Sequence, residues 1–349
     1  MSSPDIVRAI RTHIQKQLIP STPKRWVHQF RFGLEAYGLR SFTSARGNAR
    51  MVGPNPKTAI RKSERLFSNT KLTDVLGIIF DSLKLVKPSD YLNVDHSDMN
   101  GLMALVGAIQ TRKGRAIPAM VEATYNNDLS ARDDAKPREK LLRKARTEAR
   151  LWQSFTGHVI DSLQDLHDRL GFWPKLVFDR GFGNESLVTH LNAEGAIFYI
   201  RLKAGRFVEF DGQKVEIKKL KGNDTTIYLF GLKLRVIRSV KNRRAKEPWY
   251  ILTNDFSSSR DKVTRIYYHR FEIEETFRDI KHIWGLKLTR LNKPNSLKLI
   301  LWLVSLGIAL LHLVTKPIKQ SNPKKQTSWL RQAYEQLQQA FSQLLWGQG

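Results

Sequence analysis

The chain has 349 residues, with 59 Lys and Arg against 32 Asp and Glu, 41% hydrophobic residues and no cysteine. The absent cysteine excludes disulfide scaffolds, cysteine-ligated zinc fingers and thiol catalysis, and the apolar fraction excludes a disordered chain. A net charge of +27, spread along the sequence, points to a polyanionic partner.

Residues 1–70 carry 13 Lys and Arg and 3 acids. Aromatic and basic residues alternate, as in Lys24-Arg25-Trp26 and Phe30-Arg31-Phe32, and apolar positions recur at helical spacing over Ile6–Leu18 and Trp26–Leu39. The expectation is a small helical DNA-binding domain; the other reading is the basic surface of one larger domain. No helix-turn-helix register stands out that would name a recognition helix. The sequence opens MSSPDIVRAIRTH, without the apolar stretch of a signal peptide.

From Asp90 the pattern changes. Tyr91–Asp95 reads as a short buried strand ending in a carboxylate, with Asp98 as a competitor for the same role. Leu102–Gln110 and Ala116–Thr124 read as a hairpin turned at Thr111–Arg115. Pro137–Leu170 has the spacing of one long charged helix. Pro174–Phe178 is a second buried strand, ending in Asp179 and opening through Gly181 and Gly183 into a helix over Glu185–Ala193; the strand Ala196–Leu202 follows. Two strands that each end in Asp bring both carboxylates to one sheet edge.

Residues 205–258 are strand-rich, with turns at Asp211-Gly212, Gly222-Asn223 and Gly231. The stretch Tyr267–Lys281, YYHRFEIEETFRDIK, has no Gly or Pro and is expected to form one helix, with Gly285 as its C-cap. At about 100° per residue, Tyr267, Arg270, Glu274 and Lys281 share one stripe. Lys287–Lys293 is a basic loop. The apolar run Leu299–Leu311 is too short to span a bilayer and reads as a buried core helix within Leu297–Val314. A Pro/Lys/Ser linker (Thr315–Lys325) leads to an amphipathic helix, Gln326–Trp346, which either docks on its own chain or dimerises.

The spacing Tyr267-x2-Arg270-x3-Glu274-x6-Lys281 resembles the signature of DDE transposases of the insertion-sequence-4 family, and Asp179-Arg180-Gly181 resembles that family's second motif. The resemblance covers about Asp90 to Val314 and is weak at both ends. It implies an α/β fold: an RNase H-like mixed-sheet core (71–204 and 259–315) interrupted by an all-β insertion (205–258). An N-terminal helical DNA-binding domain (1–70) and a C-terminal linker and helix (316–349) would flank it.

By the same resemblance, Asp95, Asp179 and Glu274 would be the catalytic and metal-binding carboxylates. Tyr267, Arg270, Lys281 and Arg180 would contact DNA. Trp249, just before the last inserted strand, would either stack on a flipped base or simply fill the core. Three carboxylates suit Mg²⁺, with Mn²⁺ as a substitute, since both favour hard oxygen ligands. Two such ions about 3.5–4 Å apart activate the nucleophile and stabilise the leaving oxygen. His96 and His282 have no role in that scheme. The partners implied are double-stranded DNA (terminal inverted repeats and target) and a second copy of the chain in the DNA complex. No membrane partner is expected, and the location is cytoplasmic, at the nucleoid. Other readings are an RNase H-like nuclease without strand transfer and a transposase-derived DNA-binding protein that has lost catalysis.

Overall fold

A computed structural model of the chain describes residues 3–42, 44–52, 55–99, 101–126, 129–130, 153–239, 247–286, 291–315 and 329–346. Residues 287–290 of the expected basic loop, 316–325 of the linker, 326–328 of the expected final helix and 137–152 of the expected long helix lie outside the described residues.

The first third is helical: α1 (Ser3–His13) running into a π-helical turn (Ile14–Leu18), α2 (Val27–Gly33) into another (Leu34–Gly38), then α3 (Ala45–Arg50), α4 (Pro56–Ser68) and α5 (Thr70–Asp81). Next come β1 (Tyr91–Met99), β2 (Leu102–Gln110), β3 (Ala116–Tyr125) and the short pair β4 (Leu129–Ser130) and β5 (Gln153–Ser154). Of the helix expected over Pro137–Leu170, the described residues show α6 (Phe155–Leu170). Ser154 is extended and caps it, its hydroxyl accepting from the Gly157 N–H at 2.9 Å, so the helix cannot run back through Gln153. Gly171 stops α6 at φ +74°, a left-handed conformation that glycine adopts without strain.

After α6 the chain lays down β6 (Lys175–Phe178), α7 (Glu185–Ala193) and β7 (Phe198–Leu202). The inserted strands follow as β8 (Phe207–Phe210), β9 (Gln213–Glu216), β10 (Asp224–Leu229), β11 (Leu232–Arg238) and β12 (Tyr250–Thr253). They do not form a sheet apart. β12 pairs antiparallel with β7, so one ten-stranded mixed sheet runs in the order β3-β2-β1-β6-β7-β12-β11-β10-β8-β9. β1, β6 and β7 are parallel neighbours, and β2 and β3 extend the β1 edge antiparallel. β2 (LMALVGAIQ) is buried on both faces, as expected of a strand covered by helices on each side.

The stretch expected as one helix over Tyr267–Lys281 is two: α8 (Arg260–Tyr268) and α9 (Phe271–His282), with a turn at His269–Arg270. The cause is tertiary. At the end of α8 the Ile266 carbonyl accepts from Gln110 Nε2 (3.0 Å) and the His269 carbonyl from Asn93 Nδ2 (3.1 Å), while Gln110 Nε2 also reaches Asn93 Oδ1 (2.7 Å). Side chains of the sheet thus satisfy carbonyls that a helix end leaves free.

α10 (Pro294–Val314) is the core helix. Its 21 residues are long and apolar enough to cross a membrane, more than the short apolar run suggested, yet its sides are buried inside the protein. A Cβ at Gly307 would lie 2.0 Å from the Gly38 carbonyl oxygen, so the two backbones touch. One apolar cluster joins Ile6, Phe30 and Leu66 of the N-terminal helices to β1–β3, α10 and the first half of α11 (Trp329–Trp346). That last helix docks on its own chain: the Tyr334 hydroxyl meets Ser41 Oγ at 2.7 Å, and Gln338 Nε2 donates to the Leu39 carbonyl at 2.9 Å.

Candidate active site

The site forms where β1 and β6 diverge. Their parallel pairing ends at Val94 opposite Phe178, so the next residue on each, Asp95 and Asp179, lies at the same edge. β1 itself does not stop at Asp95 as expected, but continues to Met99 paired with β2. Asp95 therefore projects from a rigid strand. Asp98, three residues on, falls on the opposite face by strand alternation, where it is exposed and bonded by Asn126 Nδ2. Of the two candidates, only Asp95 faces the site.

The third element is α9, and Arg270 at its start draws the carboxylates together. Its Nη1 lies 3.4 Å from Asp95 Oδ2, and its Nη2 donates to Glu274 Oε1 one turn on. Asp179 acts on the same guanidinium electrostatically. Arg270 is 3% exposed. Burial works against its charge, but Tyr267 and the three carboxylates hold its pKa above the usual arginine value. Burial likewise pushes the Asp95 carboxyl above the ordinary aspartate range; Arg270 and the His96 N–H (2.8 Å to Oδ1) offset only part of that, and Asp179 adds to it.

Tyr267, in the last turn of α8, is fully buried, its hydroxyl donating to Asp179 Oδ1 at 3.2 Å, and burial raises its pKa far above the usual tyrosine value. Trp249 is 7% exposed, edge-on to the Tyr267 ring (centroids 5.2 Å) and tilted against Phe271. Its indole is packed as the wall behind Tyr267. Lys281, in the last turn of α9, is partly buried and forms no ion pair among the described residues. Arg180 is exposed beside Asp179 and lines an open cleft of about 630 Å³ with Asn184, Lys203 and Arg206.

Among the described residues, no three acidic or histidine side chains stand close enough to enclose a metal ion. The cation at the centre of the carboxylates is the Arg270 guanidinium. In donor chemistry the set still fits a hard divalent ion: three carboxylates from three separate elements, converging on one positive charge.

Some supporting residues escaped the sequence reading. Glu272, one turn before Thr276, faces away from the carboxylates and accepts from the backbone N–H groups of Thr111 (2.8 Å), Arg112 (3.2 Å) and Gly114 (3.2 Å). Arg115 binds Asp279 at 2.5 Å. These contacts clamp α9 to the β2–β3 turn. The only sequence signal was an acid pair flanking Glu274 on a different helix face. Lys203 and Arg206 were also missed, although two cations directly after β7 mark the same sheet edge as Asp179.

Residues 156–311 match the family model described as a transposase DDE domain. The match contains Asp179 and Glu274, begins beyond Asp95 and covers a little under half of the chain. No curated protein matches. Among solved structures, the chain is similar to the piggyBac transposase in a synaptic complex with hairpin DNA, at 12% identity and a TM-score of 0.37. The similarity covers 83% of this chain and 59% of that one, so this chain spans well under two thirds of its length. A likeness that low carries no argument of its own. What the comparisons support is therefore a transposase DDE domain over residues 156–311.

Proposed function

We propose that this chain is a cut-and-paste DNA transposase of the insertion-sequence-4 type, built on an RNase H-like core. The observation that carries the reading is that Asp95 of β1 and Glu274 of α9 meet on the buried Arg270, while Asp179, at the end of the neighbouring strand β6, is held by Tyr267. The strand order β3-β2-β1-β6-β7, with the last three parallel, supports the core assignment.

Asp95, Asp179 and Glu274 would hold Mg²⁺ or Mn²⁺, which when bound activates a water or 3′-hydroxyl nucleophile and stabilises the departing oxyanion. Tyr267 orients Asp179 through its hydroxyl. Arg270 offsets the mutual repulsion that would otherwise keep three carboxylates apart. Arg180, Lys203 and Arg206 offer cations toward phosphates along the cleft, and Lys281 adds one at the far end of α9. Nicking, second-strand cleavage and strand transfer would share this site, with two copies of the chain holding two DNA ends on the chromosome.

The test is a cleavage and strand-transfer assay with and without Mg²⁺ on the DNA flanking the chain's own gene. Wild type is compared with Glu274→Gln, which keeps the shape and loses the charge. Metal-dependent cutting and joining is expected from wild type, with more than about a 100-fold loss in the variant. Cutting without joining would favour a plain nuclease. DNA binding with no cutting by either protein would mean catalysis has been lost.

A further inference from the structure

The outward face of α4 is strongly basic and has no partner within the described chain. Lys57, Thr58, Arg61, Lys62 and Arg65 are exposed, while Ala59, Ser63 and Leu66, spaced i, i+4, i+7, are buried. The one acid on the helix, Glu64, lies 3.7 Å from Arg46 of α3, leaving four cations on the face uncompensated. A merely solvated helix surface tends to interleave charges of both signs; this one does not.

The helix is also held rigidly. Asn55 caps it, accepting from the Lys57 and Thr58 N–H groups at 3.0 and 3.2 Å. α3 packs against it across the short connection 51–55. The Tyr37 hydroxyl ties the two, bonding the Ala45 carbonyl (2.9 Å) and Ser63 Oγ (2.6 Å). A short helix braced against a longer one whose basic face points outward is the arrangement by which helix-turn-helix proteins enter the major groove.

A second set of contacts links this unit to the active site. Residues 283–285 directly follow α9, which carries Glu274. The Trp284 indole donates to the Gly38 carbonyl (3.1 Å), the Phe42 N–H to the Trp284 carbonyl (2.6 Å) and Ser41 Oγ to the Ile283 carbonyl (2.9 Å). Gly285 sits at φ +72°, where a Cβ would lie 2.3 Å from the Phe42 oxygen, so the two segments are in backbone contact. Asn48 of α3 donates through Nδ2 to the Ser41 carbonyl at 2.7 Å, which ties the segment 38–42 to α3.

We infer that α4 is the helix that reads double-stranded DNA, with Lys57, Thr58 and Arg61 directed to base edges and Lys62 and Arg65 to phosphates. The 38–42 to 283–285 junction sets its distance from the carboxylates, so the sequence read and the bond cut lie at a fixed offset. This assignment rests on the transposase reading above.

The experiment selects duplexes from a random 40-base-pair pool with the full chain, then measures affinity for the winning duplex by fluorescence anisotropy. Arg61→Ala and Lys57→Ala are expected to weaken that binding about tenfold or more each and to enrich different sequences when the selection is repeated. Lys71→Ala, an exposed cation on α5, is expected to change affinity less than about threefold and leave the preference unaltered. Circular dichroism melts matching wild type separate lost contacts from lost folding; if a variant melts early, Arg61→Lys serves as the folded substitute, with the same altered preference expected. Overturning results would be α4 variants that behave like Lys71→Ala, a wild type that enriches no duplex, or a preference for single-stranded nucleic acid. Glu274→Gln is run beside them: intact selective binding with no cutting by wild type would sink the transposase reading and leave the α4 assignment standing.

Discussion

Arg270 shows how one side chain can be spent. At 3% exposure, with both Nη atoms engaged by carboxylates, its guanidinium serves the acids and offers no free face to DNA. Replacing it by Ala leaves Asp95 beside two other negative charges. The expected cost is about 2–3 kcal/mol by urea unfolding, at the low end for a broken buried pair because Glu274 is 45% exposed and stays hydrated. Tyr267→Phe removes only the bond to Asp179. It should cost about 1 kcal/mol, yet lower cleavage disproportionately by freeing that carboxylate, and comparing the two losses in one preparation checks this. Two histidines give a pH signature. Burial is the first cause holding His158 and His312 below the usual histidine value; the Lys298 and Lys113 cations add to it at His158 and His312 respectively, while Asp161 partly opposes it at His158. The unfolded chain therefore takes up protons that the native state does not. Stability present above pH of about 6.5 is lost as pH falls through the depressed native values. Thermal melts should show Tm falling from pH 7 toward 5.5, and falling less in His158→Gln.

At the scale of elements, the position of Glu274 depends on what clamps α9. Glu272 accepts three backbone N–H groups from the β2–β3 turn, and Arg115 holds Asp279. Glu272→Ala would leave those donors unmade at a partly buried turn, for a loss of about 2–4 kcal/mol, whereas Glu272→Gln keeps one acceptor oxygen and should recover part of it. Cleavage should follow stability in that order if the clamp sets Glu274's position, and chemical denaturation beside a cleavage assay decides it. The break between α8 and α9 belongs at this scale too. It lets Tyr267 turn toward Asp179 while Arg270 turns toward Asp95 and Glu274, which one straight helix stripe would not do.

For the whole molecule, the contact of Gly38 with Gly307 joins the N-terminal helices to the core helix, and one apolar cluster spans both. Gly307→Ala has no room for its methyl group, so a destabilisation at the upper end of overpacking, roughly 3 kcal/mol, is expected. Because the core is shared, calorimetry should show the main transition moving as a unit, without early melting of residues 3–81. The net charge of +27 acts at the same scale. If the DNA reading holds with about 6–10 phosphate contacts, affinity should fall some 10³–10⁵-fold between 50 and 200 mM salt, which a titration series measures directly.

Sequence by itself determined the elements whose cause is local. The hairpin Leu102–Gln110 to Ala116–Thr124, the strand running into Asp179, the helix Glu185–Ala193 and the buried helix ending at Val314 follow from apolar pattern and turn residues near in the chain. The spacing of Tyr267, Arg270, Glu274 and Lys281 is likewise legible without coordinates. Only the tertiary structure decided where that spacing would bend, since the bonds from Gln110 and Asn93 that end α8 come from residues more than 150 positions away. It also decided that Arg270 faces inward and that α4 presents its cations outward. Burial and long-range hydrogen bonds depend on which surfaces meet, and a pattern read along one chain does not contain that.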